Sequence, residues 1–236
     1  SYFLFHPMPL FIDPLGSKRI GLINYSTGNT ASVAYFLERL DLSYVVVSTA
    51  ADLSFCDAAI LPGVGHFHTA CQSLRASGLF YELQRLSSLD FPLIGICLGF
   101  QLMTLGSEES SIDSGLGIFP FHTFEIKPKS PNFKVPHIGW NSLDASISGK
   151  PLFQHIDPCE SFFFYANRFG VRPNSSCSVD QTKYTHSGQW LAVAHQGNSL
   201  GVQFHPEKSR SNGYLIMKNF FKLAFNSDRY FKSLSS

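Results

Sequence analysis

Residues 92–102 read PLIGICLGFQL, and this stretch decides the fold. An apolar strand from Pro92 to Ile96 runs through Cys97 into a helix predicted from Gly99 to Leu105. Glycines two positions before and two positions after Cys97 are typical of a nucleophile elbow, a sharp turn whose flanks approach neighbouring backbone. The field at the start of the helix favours a thiolate. A buried structural cysteine is the alternative, and the two glycines at a strand–helix junction favour the nucleophile.

Strands and helices alternate on the amino-terminal side of this turn. Short apolar runs predict strands at Ile20–Ile23, which suits a buried parallel strand, and at Tyr44–Val47 and Ala58–Leu61. A helical stretch follows Gly65 and is expected to break near Gly78. The first helix is predicted from apolar residues at helical spacing, namely Val33, Phe36, Leu37 and Leu40. This alternation predicts an α/β domain with a parallel sheet.

Beyond about residue 118 the pattern changes to β segments. A hairpin turn is predicted at Gln196-Gly197-Asn198, and a last helix is predicted at roughly Asn212–Phe225. The predicted β segments are Phe119–Lys127, Val135–Leu143, Ser161–Tyr165, Ser178–Thr185, Leu191–His195 and Ser199–Phe204. We therefore expect one domain over residues 19–225, between an N-terminal extension (1–18) and a polar tail (226–236).

Composition excludes several classes of protein. The net charge of the 236 residues is +1, which disfavours a dedicated nucleic-acid binder. The apolar runs are too short for a membrane span, and residues 1–17 do not read as a signal peptide. The five cysteines, Cys56, Cys71, Cys97, Cys159 and Cys177, include no CxxC pair, so we expect neither a disulfide framework nor a metal site. A reducing cytoplasm is the expected compartment.

A thiol nucleophile needs a base and a group that orients the base. His205-Pro206-Glu207 follows a predicted strand, and residues i and i+2 of an extended segment point to the same side. We therefore expect Glu207 to fix the imidazole of His205. His66 and His68 lie near a candidate loop but lack this spacing, so a chemical role is not expected for them.

Glycines follow the third strand at Gly63-Val64-Gly65. Sheets of this kind bind ligands at the carboxyl ends of their strands, where free backbone N–H groups can face a developing oxyanion. An ordinary strand-to-helix turn is the alternative. The phosphate-loop pattern is absent from the chain, and no cofactor is expected.

Taken together, these segments resemble the class I glutamine amidotransferases, which carry a Cys-His-Glu triad. Within that family the chain is similar to the glutaminase subunits of imidazole glycerol phosphate synthase, an enzyme of histidine biosynthesis. The resemblance covers about residues 19–225 and rests on residues 23–29, 61–65, 95–102, 107–109, 115–117, 134–141 and 201–208. It implies an α/β, flavodoxin-like open mixed sheet with helices on both faces.

The resemblance also implies the chemistry. Cys97 would attack the side-chain amide of glutamine, His205 would move the proton, and Glu207 would hold His205. The N–H of Leu98 and one N–H from residues 63–65 would bind the oxyanion.

Other residues match positions that bind substrate or partner in the family. Gln101 and Glu109 would help to hold glutamine, and Asn167 lies in a segment next to it. Trp140 and Lys208 would lie near the interface with a (β/α)8 synthase, which would receive the ammonia. A core aromatic and a solvated charge are the alternatives for these two residues.

Two stretches depart from the family pattern. Residues 24–29 read NYSTGN where the family usually has DYGMGN, and residues 166–168 read ANR where it has a stretch like HSY. These departures leave open a paralogous subunit that supplies ammonia to a nucleotide-sugar or surface-glycan synthase. A free-standing cysteine hydrolase and a non-catalytic, partner-organising subunit are further alternatives, and the intact triad residues disfavour the last.

Overall fold

The computed structural model of the chain describes residues 18–25, 30–127, 134–158, 160–184 and 190–226. These residues form thirteen strands and six α-helices. The strands are β1 Ile20–Ile23, β2 Tyr44–Val47, β3 Ala58–Leu61, β4 Leu93–Ile96, β5 Gly106–Ser107, β6 Ser110–Ser114, β7 His122–Glu125, β8 His137–Ser142, β9 Phe162–Asn167, β10 Phe169–Val171, β11 Asp180–Lys183, β12 Leu191–Gln196 and β13 Ser199–Val202. The helices are α1 Thr30–Arg39, α2 Ala50–Leu53, α3 Phe67–Ala76, α4 Leu79–Ser88, α5 Leu98–Leu102 and α6 Arg210–Asn226.

A seven-stranded sheet in the order β11-β12-β13-β4-β3-β1-β2 forms the centre of the domain. Strands β2, β1, β3, β4 and β13 are parallel, and β12 pairs antiparallel with both of its neighbours. The carboxyl ends of β3, β4 and β13 therefore meet at one edge. This edge brings together three segments that are distant in sequence, namely those that follow Leu61, Ile96 and Val202.

The sheet has a hydrophobic core on each face. Residues of β1 alternate between the two cores, with Ile20 and Leu22 on one side and Ile23 on the other. Helices α1 and α6 cover the first face, and α3, α4 and α5 cover the second. The predicted open mixed sheet with helices on both faces is confirmed.

Two smaller sheets extend the domain. One has the order β10-β7-β5-β6, and the other is the antiparallel ladder of β8 and β9. In that ladder His137 pairs with Asn167, and Trp140 pairs with Phe164. The ladder therefore follows the sheet's carboxyl edge, because His205 donates its backbone N–H to the carbonyl of Phe164 at 2.8 Å.

The predicted strands and helices are confirmed, with different ends. The predicted helix Gly99–Leu105 begins at Leu98 and ends at Leu102, because the chain turns there to pair Gly106 with His122. The expected break near Gly78 is confirmed: Gly78 has a φ of 75° and separates α3 from α4. Helix α2 and strands β5, β6 and β10 were not predicted from the sequence.

Several expectations fall outside the described residues. They concern the extension over residues 1–17, residues 26–29 of the first stretch that departs from the family pattern, Cys159 and the tail over residues 227–236. Within the described ranges, no helix combines the length and the apolar character that crossing a bilayer requires.

Candidate active site

Cys97 occupies a strained turn between β4 and α5. Its φ is 51° and its ψ is −105°, a backbone conformation that residues other than glycine seldom adopt. Its side chain is nearly buried, with 7% of the residue exposed, and Sγ lies 3.9 Å from the carbonyl oxygen of Ala166 in β9. The geometry matches that of a nucleophile presented at the edge of a sheet.

Three glycines around this turn leave no room for a side chain. A Cβ on Gly99 would lie 2.1 Å from the carbonyl oxygen of Leu61, and a Cβ on Gly95 would lie 2.7 Å from the carbonyl oxygen of Gly99. A Cβ on Gly63 would lie 2.1 Å from the carbonyl oxygen of Ile96. The expectation that the flanks of the elbow approach neighbouring backbone is confirmed, and β3 supplies part of that backbone.

His205 and Glu207 are in contact at the carboxyl edge, beyond the end of β13. Nδ1 of His205 lies 2.8 Å from Oε1 of Glu207, and the two side chains are 3% and 4% exposed. The expected contact is present, but the expected reason was wrong. Pro206–Lys208 form a 3₁₀ turn, so Glu207 folds back onto His205 rather than pointing to the same side of an extended strand.

Ser209 fixes the backbone of His205. Its hydroxyl donates to the carbonyl of His205 at 2.6 Å and accepts from the N–H of Phe164 at 3.0 Å. The 3₁₀ turn is therefore attached to β9, and the imidazole is positioned from both sides.

The environment of His205 favours its charged form. Burial lowers the pKa of His205, but hydrogen bonding to Cys97 and Glu207 and the charges of these two residues outweigh it and raise the pKa to about 10. Nε2 of His205 is buried and makes no hydrogen bond within the described ranges. The sulfur of Cys97 is nonetheless close enough to the imidazole to raise the pKa of His205.

The loop Gly63-Val64-Gly65 lies against the start of α5. A Cβ on Gly63 would lie 2.4 Å from the backbone nitrogen of Leu98, so the loop and this N–H are adjacent. Tyr25 is buried, and its hydroxyl donates to the carbonyl of Pro62 at the start of the loop. Tyr25 was not predicted to belong to the site, and it fixes the loop from the direction of β1.

Two of the predicted substrate residues meet at one carbonyl group. Nε2 of Gln101 and Nδ2 of Asn167 both donate to the carbonyl of Phe169, at 3.0 and 2.8 Å. Oδ1 of Asn167 is buried and has no hydrogen-bond partner in the described part of the chain. Gln203, which the sequence did not single out, connects Gln101 to Cys97 through its side-chain amide.

Glu109, the third predicted substrate residue, is held at the start of α3. Its Oε2 accepts the backbone N–H of Phe67 at 3.1 Å, and its Oε1 lies 3.0 Å from Nδ1 of His66. His66 directly follows Gly65, so Glu109 lies beside the glycine loop rather than in the cluster around Gln101.

Trp140 and Lys208 lie on the outer face of the β8–β9 ladder. The Trp140 ring packs edge-on against Phe164 with centroids 5.6 Å apart, and Nζ of Lys208 lies 5.8 Å from the centroid of the same ring. Trp140 is 43% exposed, and Ile138 and Phe162 beside it are also exposed. Trp140 is therefore not a core aromatic, and this outer face is an apolar surface with Lys208 and Arg210 beside it.

The sequence of the chain matches a protein-family model. The model described as "Glutamine amidotransferase class-I" matches residues 22–224. Relatives named "Imidazole glycerol phosphate synthase subunit HisH" are similar over most of the chain. One from Bacteroides fragilis is 37% identical over 205 residues, which cover 87% of this chain and 100% of the relative. Another, from Listeria monocytogenes serotype 4a, is 34% identical and covers 88% of this chain and 97% of the relative.

Solved structures support the fold. A structure described as a glutamine amidotransferase aligns with a TM-score of 0.67 at 17% identity and covers 87% of this chain and 98% of its own. A structure of PurLQS from Thermotoga maritima aligns with a TM-score of 0.67 at 18% identity, with the same two coverages.

Proposed function

The chain belongs to the class I glutamine amidotransferases, and from that premise we propose that it is the glutaminase subunit of an imidazole glycerol phosphate synthase. Cys97, His205 and Glu207 hydrolyse glutamine to glutamate and ammonia, and the ammonia passes to a partner synthase. The observation that carries the proposal is the imidazole of His205, with Nδ1 on Glu207 and an Nε2 that, among the described residues, has no partner and lies near a thiol in an elbow.

The first half of the reaction forms a thioester. The thiol proton of Cys97 goes to Nε2 of His205, and the thiolate attacks the carboxamide carbon of glutamine. The raised pKa of His205 favours the charged imidazole that results. When the tetrahedral intermediate collapses, His205 gives this proton to the departing nitrogen, which leaves as ammonia.

The second half releases glutamate. His205, now neutral, takes a proton from water, and the hydroxide attacks the thioester carbon. When this intermediate collapses, the C–S bond breaks, glutamate is released, and the Cys97 thiolate takes the proton back from His205. Glu207 keeps Nδ1 protonated throughout, so that Nε2 is the nitrogen that accepts the proton.

Backbone donors stabilise the charge on the amide oxygen. The N–H of Leu98 and one N–H from Gly63-Val64-Gly65 are adjacent because Gly63 approaches the start of α5 so closely. Gln101, Asn167 and Glu109 hold glutamine. The buried Oδ1 of Asn167, which has no partner among the residues that the structure describes, supports a polar contact at this position.

The outer face of the β8–β9 ladder is the surface for the partner, which we propose to be a cyclase subunit with a (β/α)8 barrel in the cytoplasm. Exposed apolar side chains surrounded by basic ones suit a protein interface. Trp140 and Lys208 both contact Phe164 on this face. No observation favours the nucleotide-sugar alternative, since the relatives reported above are named as subunits of imidazole glycerol phosphate synthase.

The test is glutamate release from glutamine by the chain alone and with a cyclase subunit and its nucleotide ligand. We expect strong stimulation by the partner and complete loss with Cys97→Ala. Cys56→Ala is the matched control, because Cys56 is also nearly buried but donates only to the carbonyl of Asp52. Activity that never responds to the cyclase would contradict the histidine-pathway proposal, and high activity without any partner would indicate a free-standing hydrolase.

A further inference from the structure

A chain of buried side-chain amides leads away from the nucleophile. Nε2 of Gln203 lies 3.5 Å from Sγ of Cys97, which is an ordinary length for an N–H···S hydrogen bond. The other end of the same amide, Oε1, lies 3.3 Å from Nε2 of Gln101. Gln203 is 0% exposed, so water does not compete for these contacts.

The orientation of each amide in this chain follows from its far end. The carbonyl of Phe169 can only accept, so Gln101 must turn its NH2 group toward it, at 3.0 Å. The same NH2 group faces Gln203, which must therefore present its oxygen. With its oxygen on Gln101, Gln203 has only its NH2 group left for Cys97. The amide turned the other way would place two NH2 groups against each other.

We propose that Gln203 is a positioning residue for Cys97. Its side-chain N–H donates to the sulfur and favours the thiolate, and its side-chain oxygen accepts a hydrogen bond from Gln101, which fixes the orientation of the amide. The inference rests on the proposed function, in which Cys97 is the nucleophile and Gln101 holds glutamine. An N–H donor directed at a buried anion stabilises it. In the described part of the chain, the titratable groups that face Cys97 are His205, with Glu207 behind it, and Tyr25.

Holding the sheet together does not require this side chain. The backbone of Gln203 already makes the sheet contact, since its N–H donates to the carbonyl of Ala192 at 2.8 Å. Its neighbours Val202 and Phe204 are fully buried apolar residues. A polar side chain between them is therefore best explained by what it contacts, which is Cys97 and Gln101.

The test is the pH profile of alkylation of Cys97 by iodoacetamide, measured on the full chain by mass spectrometry of the peptide that carries Cys97. Gln203→Met keeps the length of the side chain and removes its donor. We expect the midpoint of the profile to rise by about one pH unit, and alkylation below the midpoint to slow about tenfold. Gln203→Glu places a carboxylate oxygen against the sulfur, so its midpoint rises further.

A matched control separates positioning from loosening of the core. Asn219 is a buried amide in α6 whose Nδ2 donates to the carbonyls of Leu152 and Gln154 and not to Cys97 or Gln101. The pH profile of Cys97 alkylation in Asn219→Leu should be the same as that of the unaltered chain. Gln101→Leu, which removes the group that orients Gln203, should raise the midpoint by less than Gln203→Met.

Circular dichroism establishes which variants fold, and any folded variant of Gln203 decides the question. A profile that superimposes on the unaltered one would overturn the inference, as would an equal shift in Asn219→Leu. Alkylation of Cys97 does not require glutamine turnover, so this test of Gln203 is independent of the test of the proposed glutaminase function. A shifted profile in a chain that has no glutaminase activity counts only against the proposed function, and an active chain with an unshifted profile counts only against the role of Gln203.

Discussion

Two histidine–carboxylate pairs in the molecule look alike and are used differently. In one, Nδ1 of His205 lies 2.8 Å from Glu207, and in the other, Nδ1 of His68 lies 2.6 Å from Asp113. In the first pair both side chains are almost fully buried, whereas His68 is 40% exposed and Asp113 is 7% exposed. Distance alone therefore does not distinguish a chemical pair from a structural one.

The difference lies in what else each carboxylate and each imidazole contacts. Asp113 also accepts from the hydroxyl of Ser110 at 2.6 Å and from the guanidinium of Arg75 at 3.0 Å, so it fastens β6 to α3. In the described part of the chain, the second oxygen of Glu207 has no partner, and neither does Nε2 of His205. A histidine–carboxylate pair becomes available for chemistry when Nε2, the nitrogen that does not face the carboxylate, is buried, makes no other hydrogen bond and lies next to a nucleophile.

The pKa values of the two pairs shift in opposite directions. Burial raises the pKa of Asp113, but hydrogen bonds from Ser110 and His68, with the charges of His68 and Arg75, outweigh it and lower the pKa below its usual value. In the other pair the histidine is the group with the shifted pKa, which is raised to about 10. The structural pair stabilises an anion, and the candidate catalytic pair stabilises a cation beside a thiol.

The largest expected difference between the two pairs is in catalysis. His205→Asn removes the only base that faces Cys97 in the described structure, so kcat for glutamine hydrolysis should fall by about 10³-fold or more. His68→Asn should leave kcat within about twofold, because His68 contributes to no proton transfer. Both are measured as glutamate release in the presence of the cyclase partner. Equal losses in the two variants would erase the distinction.

The second difference concerns stability against pH. The pKa of His205 is about 10 in the folded chain and about 6.5 in the unfolded chain. The contribution of its charged form to the free energy of unfolding is therefore complete below pH 6.5 and is lost as the pH rises through 10. The free energy of unfolding of the unaltered chain, minus that of His205→Asn, should therefore shrink between these pH values by a few kcal/mol, as an order of magnitude. Urea unfolding at several pH values measures it. A difference that is constant over this range would contradict the raised pKa.

The smallest expected effect is in the structural pair. Asp113→Asn removes the charge that Arg75 and His68 share and should lower the free energy of unfolding at pH 7 by about 2 kcal/mol, with kcat nearly unchanged. Asp180→Asn is the matched control, since Asp180 pairs with Lys150 at 3.6 Å in an exposed position and should cost about 0.5 kcal/mol or less. Thermal unfolding compares the two. An equal cost in both variants would show that burial does not distinguish these pairs.

The sequence predicted the parts of the site that are encoded locally. Cys97 between two glycines and His205 two residues before Glu207 are patterns that a few consecutive residues determine. The same is true of β1, β3 and β4, because a short apolar run is sufficient to predict each of these strands. The error about Glu207 was also local, because Pro206 begins a 3₁₀ turn where an extended segment was expected.

The sequence could not predict the parts that depend on long-range pairing. Gln203 contacts Cys97 across 106 positions of the chain, and Tyr25 contacts Pro62 across 37. The strand β5 has two residues and exists only because β6 and β7 pair with it. The one signal for Gln203 in the sequence is a glutamine inside an apolar strand segment, and this pattern indicates a buried polar side chain with a specific partner.

The close approach of Gly63 and Gly99 to neighbouring backbone bears on how this enzyme can be engineered. The surroundings of the nucleophile are built there from main-chain atoms, and a side chain library at these positions would return almost nothing but glycine. Changes of substrate would have to be sought where a side chain lies at the site, at Asn167 in β9, which shares the carbonyl of Phe169 with Gln101. The chain therefore separates a part that is closed to redesign from a part that remains open to it.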